Sequence, residues 1–301
     1  MPCAVPAKPR HLNDAELLPP DTACPLCMYD GIRRPILTLQ DTPRVDLLAC
    51  PCGCFSASRM PKPEVLRDYY ASYYATIQNT VTFDGSDRFG VHLFGMLRAA
   101  QKDTMRILDF GGGVDAGLSR SVARQFISNG TDRVEIALVD GNASCHRDWG
   151  AITIDCYRDL HDAGEEFDIV VASAIIEHIP YPRCVLMALL TSLRMGGSIY
   201  FRTPALSSII RLTSHFGAGL DFTYPEHLHD MGQAFWEKAL PSLGLNNEFS
   251  LVRSKPSIVQ ADCCSHPIRA AFAHMFKWPW YILRSHYTMV GGWEAVIIRT
   301  A

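Results

Sequence analysis

The stretch Arg106-Ile107-Leu108-Asp109-Phe110-Gly111-Gly112-Gly113 decides how this chain is read. Its first five residues have the pattern of a buried strand, and the glycines then turn the backbone sharply. From Leu118 to Ile127 the apolar residues recur with the period of a helix. Glycines at such a turn let the backbone come close to a ligand. The helix that follows presents free N–H groups and the positive end of its dipole, which suits a carboxylate as well as a phosphate. The next apolar run, Ala137-Leu138-Val139, ends on Asp140, an acid placed to accept the two hydroxyl hydrogens of a ribose. Alone, the pattern leaves other readings open. Gly111, Gly113 and Ala116 also satisfy the dinucleotide fingerprint G-x-G-x-x-G/A, and a glycine-rich turn can stand in a fold without any small ligand.

Working outward, short β-rich runs alternate with helical stretches. The strand candidates are Arg106–Phe110, Val134–Val139, Ala151–Ile154, Phe167–Ala172 and Ser198–Arg202, with helices over Leu118–Ile127 and Pro182–Leu193. That alternation predicts an α/β domain, residues 104–301, with a parallel sheet covered by helices. After Thr203 it breaks, and inserts at 205–245 and 255–290 read as a cap. Within them a helix is expected over Gln233–Leu243 and a strand near Glu248–Arg253, and a last strand near Trp293–Arg299 follows the second. Upstream, residues 61–103 are read as N-terminal helices. One begins at Pro63-Glu64, with proline and acid in its first turn, and a second covers Asp87 to Ala100.

What separates the readings of the glycine turn lies around and beyond it. Asp109 sits on the strand just before the glycines. Phe167-Asp168-Ile169-Val170-Val171-Ala172-Ser173 runs into Ile176-Glu177-His178-Ile179-Pro180, and Leu193-Arg194-Met195-Gly196-Gly197-Ser198-Ile199-Tyr200 supplies a turn and a strand. This order resembles the class I S-adenosylmethionine-dependent methyltransferase family, strongly over residues 104–205 and more loosely to the end. The resemblance implies a Rossmann-like fold with a seven-stranded, mostly parallel sheet whose last strand is antiparallel, and S-adenosylmethionine as methyl donor. By that likeness Asp109, Gly111, Gly112 and Gly113 frame the methionine end and Asp140 holds the ribose. Asp155 with Cys156 meets the adenine, and Ser173 and Ala174 line the donor pocket. The family usually has a third glycine where this chain has Asp115, an acid expected to point to solvent from the first helical turn. Two rivals come from other classes: an NAD-dependent oxidoreductase, and a non-catalytic module that kept the fold. Intact Asp109, Asp140 and Glu177-His178 argue against the second.

An alcohol acceptor gains from a general base, and histidine is the natural one near neutral pH. His178 lies at the carboxyl end of a strand, where open α/β sheets bind ligands. His227 lies in Asp221-Phe222-Thr223-Tyr224-Pro225-Glu226-His227-Leu228-His229-Asp230, a segment suited to activating a hydroxyl or to holding a divalent metal. His178 ranks marginally first as base. Glu226 and His229, with Tyr70 and Tyr74 of the first helix, are candidate acceptor contacts.

Residues 21–60 are punctuated by Cys24-Pro25-Leu26-Cys27 and Cys50-Pro51-Cys52-Gly53-Cys54. Two such clusters read as a zinc-ribbon-like knuckle holding structural Zn²⁺. Cys24 and Cys27 supply two ligands, and Cys50 with Cys54 is the pair taken for the others, although Cys52 fits the spacing as well. Residues 1–20 read as a flexible arm. The layout is similar to bacterial methyltransferases that modify sugars or glycans, which place a knuckle before a Tyr-rich helix and end in a segment like Val290-Gly291-Gly292-Trp293-Glu294. The resemblance implies O-methylation of a sugar, glycan or related small metabolite.

Composition sets the remaining bounds. With 301 residues, 48% of them hydrophobic, the chain buries a full core. A net charge of −3 gives no basic face that calls for a nucleic-acid partner. Eleven cysteines with no signal peptide at the N-terminus point to a cytoplasmic protein with reduced thiols. Ala270–Leu283 is too short, and too interrupted by Lys277 and Pro279, to span a bilayer. Its aromatics suit a lid or core packing first, and peripheral membrane contact second. Nothing in the sequence sets the oligomeric state.

Overall fold

The computed structural model describes residues 11–76, 86–97, 101–141, 146–215, 222–259 and 267–301, without the side chains of 72–76, 86 and 269. Tyr74's side chain, Asp221 and the cysteines at 3, 145, 263 and 264 therefore lie outside the described residues.

Two sheets organise the molecule. The larger is built from β4 (Thr104–Phe110), β5 (Arg133–Val139), β6 (Arg147–Asp148), β7 (Ile152–Tyr157), β8 (Phe167–Ser173), β9 (Leu193–Ala205), β11 (Phe249–Pro256) and β12 (Gly291–Arg299). Its order is β11-β12-β9-β8-β4-β5-β7-β6, with β12 antiparallel to both neighbours. The seven expected strands are present, and the eighth, β6, is a two-residue antiparallel edge on β7. The central strands are apolar on both faces because helices cover both, as a parallel sheet requires. On one face α2 (Ser86–Met96) packs on α3 (Gly117–Ser128) through Phe94 against Phe126, ring centroids 4.9 Å apart. The other face carries α4 (Arg183–Thr191) and α6 (Gln233–Leu243), with Trp236 stacked on Phe201 at 4.6 Å.

Strand order reverses beside β4, which lies between β8 and β5. Loops leaving neighbouring strands there diverge to opposite faces and open a crevice beyond their carboxyl ends. The glycine turn leaves β4 and Ala174–His178 leaves β8, so the topology brings both motifs to one crevice.

The smaller sheet joins distant parts of the chain. It contains β1 (Arg34–Gln40), β2 (Val45–Ala49), β3 (Phe55–Ala57) and, from far along the chain, β10 (His229–Asp230), in the order β1-β2-β3-β10. The knuckle is thus completed by a strand from the second half of the chain. Cys24, Leu26, Cys50, Cys52 and Cys54 share one apolar core with Phe201, Phe235 and Trp236. Residues 11–20, expected in the loose arm, are packed: Leu12 and Leu17 are buried against Met60 and Tyr224, and Asn13 caps a short turn through Ala15 N and Glu16. Apolar side chains at these two positions outweigh the polar, proline-rich character of the segment as a whole.

α1 (Pro63–Thr76) follows the knuckle, and α5 (Ser207–His215) and α7 (Pro267–Leu283) form the cap. α7 is continuous through Pro279 where an irregular insert was expected.

Candidate active site

On the donor side the backbone does most of the construction. Gly111 has φ +75°, and a Cβ there would meet the Ile175 side chain at 2.6 Å. At Gly112 a Cβ would fall 2.3 Å from the Asp109 carboxylate, so glycine is what lets that acid fold over the turn. Asp109 is buried and its Oδ2 has no hydrogen-bond partner. Burial pushes its carboxyl up to about 7. An unpartnered buried carboxylate costs about 1–3 kcal/mol, and a ligand bearing an ammonium would recover it. Asp140 accepts a hydrogen bond from Gly113 N at 3.0 Å, which places its carboxylate against the turn. Asp115, where the resemblance leads one to expect glycine, is half exposed and pairs with Arg120 at 2.8 Å.

Ser173 and Ala174 close this side at the end of β8. Ser173 Oγ accepts from Arg202 Nε at 2.9 Å, and Ala174, at φ +57°, donates its N–H to the Arg202 carbonyl. Asp155 sits two residues before the end of β7, largely exposed, bonded to His146 Nδ1 at 2.7 Å; Cys156 beside it is half-buried.

Across from the glycines, a cleft of about 580 Å³ is lined by Ala174, Glu177, Arg202, His227, Ser257 and Lys277, among others. Glu177, His178 and His227 bring one ligand-type atom each to within 4.8 Å of one another. His178 Nδ1 donates to the Glu226 carbonyl at 2.7 Å, and Tyr70 Oη lies 3.1 Å from the same nitrogen. Nδ1 of His227 is 2.8 Å from Thr223 Oγ1, whose hydroxyl donates onward to the Phe222 carbonyl. That chain of donors assigns the proton to Nδ1 and leaves the Nε2 lone pair of His227 open. Burial holds both imidazoles below their ordinary 6.5, and the neighbouring His178 lowers His227 further. Glu177 is buried with Oε2 unpartnered, and burial raises its carboxyl to about 7.

Several expected site residues are placed otherwise. His229 is fully buried, Nδ1 on Ser56 Oγ at 3.0 Å and Nε2 on the Ile179 carbonyl at 2.8 Å. Both nitrogens have protein partners, so it pins β10 to the knuckle; burial drives it down to about 4. With His229 turned away from His227, the segment offers no His-x-His metal pair. Glu226 takes part in the cluster through its backbone carbonyl, which receives His178 and Tyr70. His178 is not among the cleft-lining residues whereas His227 is.

At the knuckle, Cys24, Cys27, Cys50 and Cys52 bring their sulfurs together within 4.8 Å, and Cys54 is not among them. The turn from Cys50 to Cys54 is closed by Cys50 N–H to the Cys54 carbonyl at 3.0 Å, which lifts Cys52 out toward Cys24 at 4.0 Å. Cys54 immediately precedes β3 and lies 3.5 Å from Ser56 Oγ instead. The sulfur separations of 3.5 and 4.0 Å suit tetrahedral zinc, whose Zn–S bonds of about 2.3 Å set sulfurs roughly 3.8 Å apart.

Arg202 and Lys277 were missed by the sequence reading. Arg202 is a charge inside an apolar strand, a pattern that marks a buried functional side chain. Lys277 gave no such signal, because nothing local shows which side of α7 faces inward. Its ammonium donates to Ser257 Oγ at 3.0 Å, and burial lowers it to about 8.

A Haloferax volcanii methyltransferase in complex with the Trm112 methyltransferase activator has a TM-score of 0.45 and 14% identity, covering 72% of this chain and 95% of that one. An S-adenosylmethionine-dependent methyltransferase from Mesorhizobium loti gives 0.41 and 13%, covering 72% and 99%. The plantazolicin methyltransferase BamL, solved with S-adenosylhomocysteine and a substrate analogue, gives 0.42 and 11%, covering 78% and 91%. No curated protein matches. Residues 89–276 match the family model described as a methyltransferase domain, and that span holds the glycine turn, Asp140, Glu177-His178 and His227. The chain belongs to the methyltransferase domain family, an enzyme on the class I, Rossmann-like fold.

Proposed function

We propose that this enzyme transfers a methyl group from S-adenosylmethionine to a hydroxyl of a sugar, glycan or related small metabolite bound in the cleft beside His227. The observation that carries the reading is Ala174. It lines the cleft that holds Glu177 and His227, and its neighbour Ile175 packs against Gly111 of the glycine turn, which supports a donor and an acceptor meeting there.

Asp109 suits the donor's ammonium and Asp140 its ribose, while the first turn of α3 offers N–H groups to its carboxylate. Ser173 and Ala174 bound the donor pocket, and Asp155 and Cys156 stand on the adenine side. When bound, the donor supplies an electrophilic methyl on a sulfonium. His227 Nε2 takes the hydroxyl proton as oxygen attacks, and its Nδ1–H, held by Thr223, keeps the ring aimed. Tyr70 and the Glu226 carbonyl fix His178 behind it. Excluding water and aligning the acceptor contribute more than the base does, since positioning can supply ~7–11 kcal/mol.

The knuckle takes Zn²⁺ through Cys24, Cys27, Cys50 and Cys52 and serves as structure. Thermal-shift titration with S-adenosylhomocysteine and with NAD tests the donor: stabilisation by the first alone is expected, and stabilisation by NAD alone overturns the reading. Methyl transfer to a panel of hydroxyl and amine acceptors, read by mass spectrometry, tests the acceptor class. Products methylated only on nitrogen would refute the hydroxyl assignment.

A further inference from the structure

Three electron-pair donors converge where Glu177 and His227 line the cleft, with His178 beside them: one atom from each lies within 4.8 Å of the other two. Which atoms these are follows from what holds the rest of each side chain. His178 Nδ1 donates to the Glu226 carbonyl at 2.7 Å, so its Nε2 carries the lone pair, 3.9 Å from Glu177 Oε1. His227 Nδ1 is held by Thr223 Oγ1 at 2.8 Å and the Phe222 carbonyl at 3.1 Å, which leaves Nε2 as its ligating nitrogen. Glu177 is 2% exposed, and its Oε2 has no hydrogen-bond partner.

Hydrogen bonding among the three does not account for this arrangement. A separation of 3.9 Å is too long for a hydrogen bond. In the tautomers that the backbone carbonyls select, neither Nε2 has a proton to give. Lone pairs that face a buried carboxylate repel it, and a cation placed among them turns repulsion into attraction. An ion of the zinc class holds imidazole nitrogen at about 2.0–2.1 Å and carboxylate oxygen at about 2.0–2.2 Å, so its ligands stand roughly 3–3.4 Å apart. The difference from 3.9 Å is about half an ångström, within the swing of a carboxylate whose Oε2 nothing holds.

The surroundings fit a bound ion as well. Each ligating imidazole has its other nitrogen anchored on protein oxygen, the pattern that fixes ring orientation around metals. Leu228 N–H donates to the Glu177 carbonyl at 2.9 Å and clamps the two ligand-bearing turns together. Two imidazoles and a carboxylate favour a first-row ion over Mg²⁺ or Ca²⁺, which prefer oxygen alone. Three protein ligands leave a further position open toward the cleft. We propose that Glu177, His178 and His227 bind a divalent first-row metal ion of the Zn²⁺ or Co²⁺ class, at a site apart from the cysteine knuckle. The ion takes the His227 Nε2 lone pair, so its binding and proton abstraction by that nitrogen exclude each other, and occupancy shuts off transfer. That consequence rests on the hydroxyl-transfer reading above; the binding itself does not.

The test titrates Co²⁺ into the full chain after dialysis against citrate has brought it to one zinc per chain or fewer. Visible absorption should show one equivalent of cobalt with nitrogen and oxygen ligation. Thiolate-to-cobalt charge transfer marks any ion that enters the knuckle instead. Glu177→Gln and His227→Ala should each weaken the thiolate-free component at least about tenfold. Their affinity for S-adenosylhomocysteine should stay native, which shows an intact fold. Native protein that binds cobalt only through thiolate, or not at all, overturns the proposal. A thiolate-free component that survives both substitutions overturns it too, since the ion would then sit on histidines elsewhere. Methyl transfer to an active acceptor should fall in step with the thiolate-free signal. Binding without that fall counts for the site and against His227 as the base.

Discussion

On the proposed reading, the two sides of the reaction crevice are built by different means. The donor side is made from consecutive residues at the ends of neighbouring strands, and its shape comes from backbone: three glycines, one buried acid and one acid at the next strand end. The acceptor side is made from side chains that arrive from β8, β9, α7 and the Thr223–His227 turn, and β10 anchors that turn to the knuckle. A site made of backbone tolerates distant change, because its geometry is local. One made of converging side chains inherits the stability of every element that supplies it. Loss of the knuckle should therefore damage the acceptor side first.

Breaking the knuckle is the strongest test of this asymmetry. Structural zinc contributes roughly 10–16 kcal/mol of apparent binding free energy in small domains. Cys52→Ser should abolish metal in elemental analysis and lower methyl transfer at least about a hundredfold, while S-adenosylhomocysteine binding changes by a few-fold at most. Cys54→Ser should keep its metal. Equal loss of donor binding in the Cys52 variant would show that the two sides are not separable.

Within the acceptor side, His227→Ala should cut kcat by about 10²–10⁴ with donor affinity unchanged. His178→Ala should cost less, because His178 stands behind His227 and is absent from the cleft wall. The native pH–rate profile sharpens the assignment. Burial holds His227 below 6.5, so the neutral base is present at and above that value, and the rate should fall only at lower pH. On the donor side, Asp140→Ala should weaken S-adenosylhomocysteine binding by about 1.5–3 kcal/mol, read by calorimetry, and leave kcat at saturating donor less affected.

A stability effect concerns His229, which separates anchoring from catalysis two residues away from His227. Folded, it stays neutral down to about 4; unfolded, it protonates near 6.5. Its contribution is therefore complete above 6.5 and lost as pH falls through that window, up to about 3 kcal/mol. Comparing denaturant midpoints at pH 7 and pH 5 for the native chain and His229→Asn isolates this share from that of His178 and His227, which act in the same direction. A native slope in the variant would assign the pH dependence elsewhere.

The same asymmetry explains what the sequence disclosed. The strand before the glycines, Asp109, Asp140 and Gln233–Leu243 were readable because each rests on spacing within a few residues. Cys52 over Cys54 was not, since it depends on how one turn closes, and Cys50 N–H bonding to the Cys54 carbonyl decides it. His229 was misjudged because its partners, Ser56 and the Ile179 carbonyl, are 173 and 50 positions away. Trp278 and Trp280 looked equivalent in the sequence, and only the tertiary partner Trp293 distinguishes the buried one.

The short strand His229–Asp230 has one more consequence, for the order in which the molecule comes into being. On the ribosome, β3 is made 173 residues before the histidine that bonds Ser56. At about 5–20 residues per second, roughly ten to thirty-five seconds pass before that partner is made. Until then the knuckle's sheet ends on an unpaired edge, the kind of surface that recruits stray strands. Asp230, whose carboxylate accepts from Leu206 N and Ser207 N at 2.9 and 2.8 Å, fastens the start of α5 in the same event. The small sheet, begun before the large one, is thus finished only after β4 to β9 of the large sheet have been made.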